Sequence, residues 1–143
     1  MCIDIIKEYE GFSEIAYRCP AGIWTYGFGS TKRPDGTPVQ EGDTISKQAA
    51  EALLTDYLIK NVYPIFNKIP YQLTIGQKDA IASLCYNIGT SAFLKSGLFK
   101  AICEKDIKGI FKNWDWISAS GVVLKGLAKR RAQELYMFLR DLK

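Results

Sequence analysis

The stretch EGFSEIAYRCPAGIWTYGFGST, residues 10–31, is where the chain changes from a helical to a β pattern. Apolar residues at helical spacing predict a short helix over residues 3–10, and Gly11 is a natural end for it. Cys-Pro-Ala-Gly at 19–22 places Pro and Gly where a type I turn prefers them. A strand over 23–28 follows this turn. The stretch therefore predicts a helix that leads into a small β region.

Beyond this stretch the chain reads as mostly helical. Ser46 is a typical N-cap for a long helix that runs towards Pro64. Thr74 and Gln77 match a capping box, which opens a helix that reaches about Ile88. Further helices are expected over 92–103, 106–117 and 126–142, with a loop at 121–126.

This order of elements predicts the α+β fold class, as one domain over residues 1–143. We expect a small N-terminal β lobe over about 12–45. A larger helical lobe covers about 60–143 and also includes the N-terminal helix. A long helix near 46–66 joins the two lobes. A cleft between lobes of unequal size is a natural place for an extended ligand.

The composition limits the chemistry that is available. Of the 143 residues, 48% are hydrophobic and 24% are charged, as in soluble globular domains. Four cysteines without a Cys-x-x-Cys pair, and no histidine, argue against a zinc site and exclude Ser–His and Cys–His hydrolases. We expect no metal, no cofactor, and free thiols with two or three of them in the core. Acid–base chemistry must come from carboxylates, lysine, tyrosine or cysteine.

The net charge of +4 is concentrated at one end of the chain. From Lys125 onward there are six cations and two anions, so the preceding residues are neutral overall. A basic C-terminal helix favours an anionic partner such as a cell wall, a membrane surface or a nucleic acid. A solvated helix face explains the same charges without any partner.

The sequence carries no visible targeting or membrane segment. No apolar run approaches the roughly 20 residues that span a bilayer. The N-terminal residues lack the apolar core of a signal peptide. We therefore expect the protein to be made in the cytosol.

Glu10 and Thr25 are the candidate reactive residues of residues 10–31. Glu10 ends the first helix, where the negative end of the helix dipole favours the protonated acid, and burial in a cleft acts in the same direction. A protonated carboxylic acid can donate its proton to a glycosidic oxygen. Thr25 carries a hydroxyl that can hold a water molecule, and Gly27 and Gly29 let a substrate approach the backbone.

These residues resemble the catalytic segment of the phage-type lysozymes, or endolysins, of glycoside hydrolase family 24. The family pattern is Glu, eight residues, Asp or occasionally Cys, five residues and Thr, and Glu10, Cys19 and Thr25 stand at this spacing. The resemblance continues in order along nearly the whole chain. It includes segments 41–46, 77–80, 86–89 and 126–134, the last of which is similar to the subset carried by lambdoid phages.

The resemblance implies a lysozyme-like fold and a muramidase, which hydrolyses the β-1,4 bond between N-acetylmuramic acid and N-acetylglucosamine in bacterial peptidoglycan. It implies that Glu10 is the general acid and that Cys19 and Thr25 position or activate the attacking water. Because no second carboxylate stands where a covalent nucleophile is expected, the resemblance favours an inverting mechanism. Arg18 is adjacent to Cys19, but neighbours on a strand point to opposite faces.

The resemblance also implies the substrate-binding residues. Gly27 and Ser30 lie on the strand motif, and Asn87 matches an amide that hydrogen-bonds substrate. Arg131, or Arg130 beside it, matches an arginine that pairs with the catalytic glutamate. Four aromatic residues are candidates for stacking on sugar rings: Trp24, Tyr26, Trp114 and Trp116. Of these, Trp114 and Trp116 are more typical of a core.

Two departures from the family leave a second function open. Most members carry a carboxylate where this chain has Cys19, and they carry His where it has Ser30. Both changes are compatible with a wall-binding module that kept the fold without catalysis. A nucleic-acid binder is a third reading, but the basic cluster is short and no binding motif is present, so we expect no nucleic-acid partner. We expect a monomer that is attracted to the anionic envelope and is released to the wall through a holin-like pore.

Overall fold

The computed structural model describes residues 3–116, 118–119 and 122–142. Its contacts divide the chain into an N-terminal unit, Ile3–Ile59, and a C-terminal unit that starts at Lys60. Helices predominate, and the N-terminal unit carries a small two-stranded sheet. The α+β class is therefore confirmed, whereas the division into two lobes of one domain stays a prediction.

The N-terminal unit is built around a β-hairpin. Its elements are α1 (Asp4–Glu10), β1 (Ser13–Arg18), β2 (Trp24–Gly27) and α2 (Lys47–Tyr57). β1 and β2 are antiparallel, with Tyr17 opposite Thr25. The expected turn joins them, because the Gly22 N–H donates to the Cys19 carbonyl at 2.8 Å and Gly22 has a φ of 79°.

The N-terminal helix packs within the N-terminal unit, whereas the sequence analysis assigns it to the helical lobe. Ile5 and Ile6 of α1 are buried. Lys7 Nζ lies 2.8 Å from Glu51 Oε1 of α2, and 5.7 Å from the centre of the Phe28 ring. Lys7 thus links α1 to α2 and to Phe28, and the assignment of α1 to the helical lobe stays a prediction.

The helix predicted near 46–66 consists of three segments of different pitch. Ser46 caps α2 as expected, since its Oγ accepts from the Ala49 N–H at 3.1 Å. After α2 the chain forms a π-helical turn, Leu58–Val62, and then a 3-10 helix, Tyr63–Lys68. Pro64 cannot donate a helical hydrogen bond, and its ring excludes a continued α-helix. The expectation of one continuous helix was wrong for this reason.

The C-terminal unit is mainly helical. Its elements are α3 (Ile75–Ile88), α4 (Thr90–Leu94), α5 (Gly97–Glu104), α6 (Ile107–Asn113), β3 (Ser118–Ala119), β4 (Val122–Val123) and α7 (Lys125–Arg140). The capping box of Thr74 and Gln77 is present at the start of α3. Gly89, with a φ of 91°, ends that helix where expected. α3 packs closely against α7 and forms the centre of this unit.

Two helices of this unit differ from their predicted bounds. The helix expected over 92–103 is split because Ser96 ends one segment and caps the next, donating to the Phe93 carbonyl and accepting from the Phe99 N–H. The helix expected over 106–117 ends at Asn113. The loop expected at 121–126 contains β4 and the first residues of α7, while residue 121 itself lies outside the described residues.

The described part of the chain contains no helix that is both long and apolar enough to cross a membrane. The three cysteines described, Cys19, Cys85 and Cys103, are free thiols. Only Cys85 of these three is buried, and Cys2 lies outside the described residues. The expected free thiols are therefore confirmed for these three, but two of them lie outside the core.

Candidate active site

One face of the β1–β2 hairpin carries three polar side chains. Tyr17 and Thr25 are directly opposite each other, so their side chains lie on the same face of the sheet. Cys19 lies two residues beyond Tyr17, and its N–H donates to the Ile23 carbonyl at 3.0 Å, which continues the strand pairing. The alternation of a strand therefore places Cys19 on this face as well.

Arg18 belongs to the other face of the hairpin. It is the partner of Trp24 in the strand register, and its guanidinium lies 5.0 Å from the centre of the Trp24 ring. The expectation that Arg18 points away from Cys19 agrees with this contact. The groups that surround the Cys19 thiol must therefore belong to the hairpin backbone or to side chains on the same face as Cys19.

The hairpin turn stabilises the thiolate form of Cys19. The backbone N–H of Ile23 is the largest contribution that lowers the pKa of Cys19. Partial burial acts in the opposite direction, and hydrogen bonds from the backbone of Ala21 and the hydroxyl of Thr25 lower the pKa further. The side chain is half-buried, so it is also partly open to solvent. Cys19 can thus act as a base closer to neutral pH than an ordinary thiol.

Thr25 is coupled to Cys19 and is almost completely covered, with only 4% of its surface exposed. Its hydroxyl donates to the Ile23 carbonyl at 2.9 Å. It also contributes to the lowered pKa of Cys19. Since a hydroxyl has one hydrogen and two lone pairs, Thr25 can accept a hydrogen bond while it donates to Ile23, or turn its hydrogen to the thiolate.

Glu10 reaches the same region from the end of α1. It is the last residue of that helix and is half-buried. Burial is the first cause that raises the pKa of Tyr17, and the charges of Glu10 and Cys19 raise it further. The Tyr17 phenol is thus coupled electrostatically to both groups. The structure therefore brings Glu10, Cys19 and Thr25, which the sequence predicts as a set, to the surroundings of Tyr17.

Gly27 and Ser30 have structural roles in the same unit. Gly27 has a φ of 62°, and a Cβ at this position would lie 3.0 Å from the Cβ of Ala50, so glycine lets β2 pack on α2. Ser30 exchanges two backbone hydrogen bonds with Tyr26, at 3.0 and 2.9 Å. Their contact with substrate stays a prediction.

Asn87 and Arg131 belong to the C-terminal unit. Asn87 is exposed in the last turn of α3. Arg131 is buried on α7, where its Nε lies 2.8 Å from Glu134 Oε1. Arg130 also lies near this carboxylate and donates to the carbonyl of Ser83 at 2.9 Å. Both arginines thus have a buried partner on their own helix, and pairing of either with Glu10 stays a prediction.

The comparison with known proteins decides the family. Residues 7–134 match the family described as Phage lysozyme. The chain belongs to the phage lysozyme family. It is 37% identical over 139 residues to an endolysin of Acyrthosiphon pisum secondary endosymbiont phage 1, covering 94% of this chain and 92% of that one.

Solved structures of lysozyme type resemble this chain over nearly its full length. The endolysin from Escherichia coli O157:H7 phage FAHEc1 has a TM-score of 0.84 at 33% identity, covering 96% of this chain and 89% of the other. The muramidase domain of SpmX from Asticaccaulis excentricus has a TM-score of 0.82 at 32% identity, covering 96% and 93%. The chain is therefore a glycoside hydrolase with a lysozyme-like fold, and peptidoglycan is its substrate.

Two of the four aromatic residues considered for sugar stacking in this lysozyme are buried. Trp114 is 4% exposed, and its indole N–H donates to Glu134 Oε1 at 3.2 Å. Tyr26 is 3% exposed. The core position that the sequence favours for Trp114 is therefore confirmed, whereas the stacking considered for Tyr26 was wrong because its ring is buried. Burial next to a carboxylate explains Trp114, because an indole N–H requires an acceptor when it leaves water.

The sequence analysis of this lysozyme missed Tyr17. A tyrosine on a short strand has no chemical signature of its own. The signal that could have found it is the alternation along β1, which puts residues 17 and 19 on one face. The hairpin register then adds Thr25 opposite Tyr17.

Proposed function

We propose that this lysozyme cleaves the β-1,4 bond between N-acetylmuramic acid and N-acetylglucosamine with inversion at the anomeric carbon. Glu10 protonates the oxygen of the leaving sugar. Cys19 and Thr25 hold the water that attacks the opposite side of the sugar ring. The observation that supports this most directly is the single hairpin face on which Cys19, Thr25 and the neighbour of Glu10, Tyr17, are placed together.

The proposed reaction is one concerted displacement. The water oxygen forms a bond to the anomeric carbon while the bond from that carbon to the glycosidic oxygen breaks. Glu10 transfers its proton to the glycosidic oxygen, and the Cys19 thiolate accepts a proton from the water. Afterwards Cys19 loses this proton to solvent and Glu10 regains one, which restores the starting state.

Glu10→Gln should abolish turnover while the protein stays folded. The amide keeps the shape of the side chain but has no acidic proton, so we expect kcat to fall by a factor of about 100 or more. The matched control is Glu14→Gln, an exposed glutamate on β1. The measurement is the release of soluble fragments from purified peptidoglycan, followed by mass spectrometry. A Glu10→Gln enzyme that releases fragments at the rate of Glu14→Gln would refute the assignment.

The anomeric form of the product tests the inverting mechanism. Attack by water on the side opposite to the leaving group gives the α anomer from a β-linked strand. Proton NMR of the first reducing ends, recorded before mutarotation, should therefore show α product. Initial β product would require a covalent intermediate and would make Cys19 a candidate nucleophile instead of a base.

The route to the wall and the oligomeric state belong to the same proposal. The enzyme acts as a monomer on peptidoglycan after it is released from the cytosol through a holin-like pore. Its basic C-terminal helix assists by attraction to the anionic envelope.

A further inference from the structure

We propose that Tyr17 is a third residue of the water site, in which its hydroxyl donates a hydrogen bond to the attacking water that Cys19 and Thr25 hold. This inference rests on the proposed function, because it assigns a role in the same displacement. It adds a residue that does not belong to the Glu–Cys–Thr pattern of residues 10–31.

The hairpin geometry places Tyr17 at the right position. Opposite residues of an antiparallel pair have their Cβ atoms about 4.5–5.5 Å apart, so the side chains of Tyr17 and Thr25 are neighbours on this face. Thr25 is 4% exposed and Tyr17 is 41% exposed. Tyr17 is therefore the more open of the two to solvent, from where a substrate must approach.

The hydrogen-bonding capacity of the water leaves one position for Tyr17. A water molecule has two hydrogens and two lone pairs. One hydrogen goes to the Cys19 sulfur, and the other goes to the Thr25 oxygen, whose own hydrogen is on the Ile23 carbonyl. One lone pair attacks the sugar, and the remaining lone pair accepts a hydrogen bond. A phenol hydroxyl on the same face is suited to donate it.

The electrostatic surroundings keep Tyr17 in the form that this role requires. Burial and the charges of Glu10 and Cys19 raise the pKa of Tyr17. The phenol therefore keeps its hydrogen at neutral pH and acts as a donor, not as a competing base.

Tyr17→Phe tests the hydroxyl without removing the ring. We expect kcat to fall about tenfold, the equivalent of one good hydrogen bond, while KM changes by less than about twofold. The melting temperature should be unchanged because the side chain is partly exposed. Tyr136→Phe makes the same chemical change at an exposed position of α7 and should leave kcat unchanged.

The rate of Cys19 alkylation by iodoacetamide, measured on its peptide by mass spectrometry, shows whether the hairpin keeps its shape. For Tyr17→Phe we expect this rate to stay within about twofold of wild type. An unchanged kcat, a rise in KM alone, or a fall in kcat together with an altered alkylation rate would each overturn the proposal. Activity in Glu10→Gln would instead refute the proposed function, so the two failures are distinguishable.

Discussion

Cys19 has surroundings that differ from those of the other described thiols. The N–H groups of Ile23 and Ala21 and the hydroxyl of Thr25 lower its pKa, whereas burial raises the pKa of Cys85 and of Cys103. Thiolate therefore forms at a lower pH at Cys19 than in an ordinary thiol. A carboxylate at this position would accept the same hydrogen bonds. The same turn can therefore stabilise the charged form of either a cysteine or an aspartate at position 19.

Cys19→Ser and Cys19→Asp should separate a base from a simple water holder. Serine keeps a polar atom but does not ionise near neutrality, so we expect kcat to fall about 100-fold. Aspartate ionises below the thiol, so Cys19→Asp should stay active and extend activity to lower pH. In wild type, activity should rise with pH as the thiolate forms, below the pH expected of an ordinary thiol. Profiles of kcat against pH for the three enzymes check this.

Alkylation supplies the matched control for this prediction. Iodoacetamide should inactivate wild type but not Cys19→Asp, which retains the other three of the four cysteines. Cys85 and Cys103 should react more slowly because burial raises their pKa values. Wild-type activity of Cys19→Ser, or full activity after mapped alkylation of Cys19, would remove the thiol from the mechanism.

At the residue scale, the set Glu10, Cys19 and Thr25 was predicted from the resemblance to the phage-type lysozymes, whose motif lies on one helix end and one hairpin of this chain. Spacing within a hairpin translates directly into neighbours on a face. Arg131 lies 2.8 Å from Glu134, three residues along the same helix, and its pairing with Glu10 stays a prediction. What an arginine pairs with depends on packing that spacing alone does not specify.

At the element scale, helix ends with a local chemical cause were predictable. Ser46, Thr74 and Gly89 each act through hydrogen bonds or backbone conformation within a few residues, and each marks a helix end as expected. The break at Ser96 and the π-helical turn before Pro64 were missed. Helical periodicity continues through both places, so the apolar pattern indicates one helix where the chain forms several.

The contact between α3 and α7 contains a buried polar cluster, which consists of Ser83, Trp114, Arg130, Arg131 and Glu134. Glu134 is completely buried and accepts hydrogen bonds from the Ser83 hydroxyl and the Trp114 indole. Burial raises the pKa of Glu134, and the charge of Arg131 acts most strongly in the opposite direction. Arg130 and Arg131 both lie next to this carboxylate, and Arg130 also donates to the Ser83 carbonyl of α3, so the cluster links the two helices.

Glu134→Ala should destabilise the fold strongly. The substitution removes the negative charge that Glu134 supplies next to two buried guanidinium groups, which costs about 3–5 kcal/mol in the free energy of unfolding. We expect a fall in melting temperature of roughly 10 °C. Lys129→Ala, an exposed position on the same helix, is the control and should change the melting temperature little. Thermal unfolding followed by circular dichroism measures both, and a loss below about 1 kcal/mol would show that the cluster is dispensable.

At the scale of the whole molecule, the excess positive charge lies on a different part of the sequence from the proposed catalytic residues. The net charge of +4 is carried by the sequence from Lys125 onward, whereas the hairpin residues that handle water lie before residue 30. On α7, Lys125 and Lys129 are exposed, while Arg130 and Arg131 are buried with Glu134. The exposed lysines are therefore available to an anionic wall without disturbing the buried cluster.

Lys125→Gln combined with Lys129→Gln should slow lysis mainly at low salt. Attraction between exposed charges is screened over about 10 Å at 0.1 M salt and about 3 Å at 1 M, so the defect should disappear as salt is raised. The charge-matched control is Lys108→Gln with Lys112→Gln, which removes two exposed lysines from α6. Turbidity loss of permeabilised cells, measured against salt concentration, distinguishes the outcomes.

A larger low-salt defect in the α7 pair supports a local wall-binding surface, because both pairs lose the same net charge. Equal defects would show that net charge alone matters, and a defect that persists at every salt concentration would point to damage of the fold.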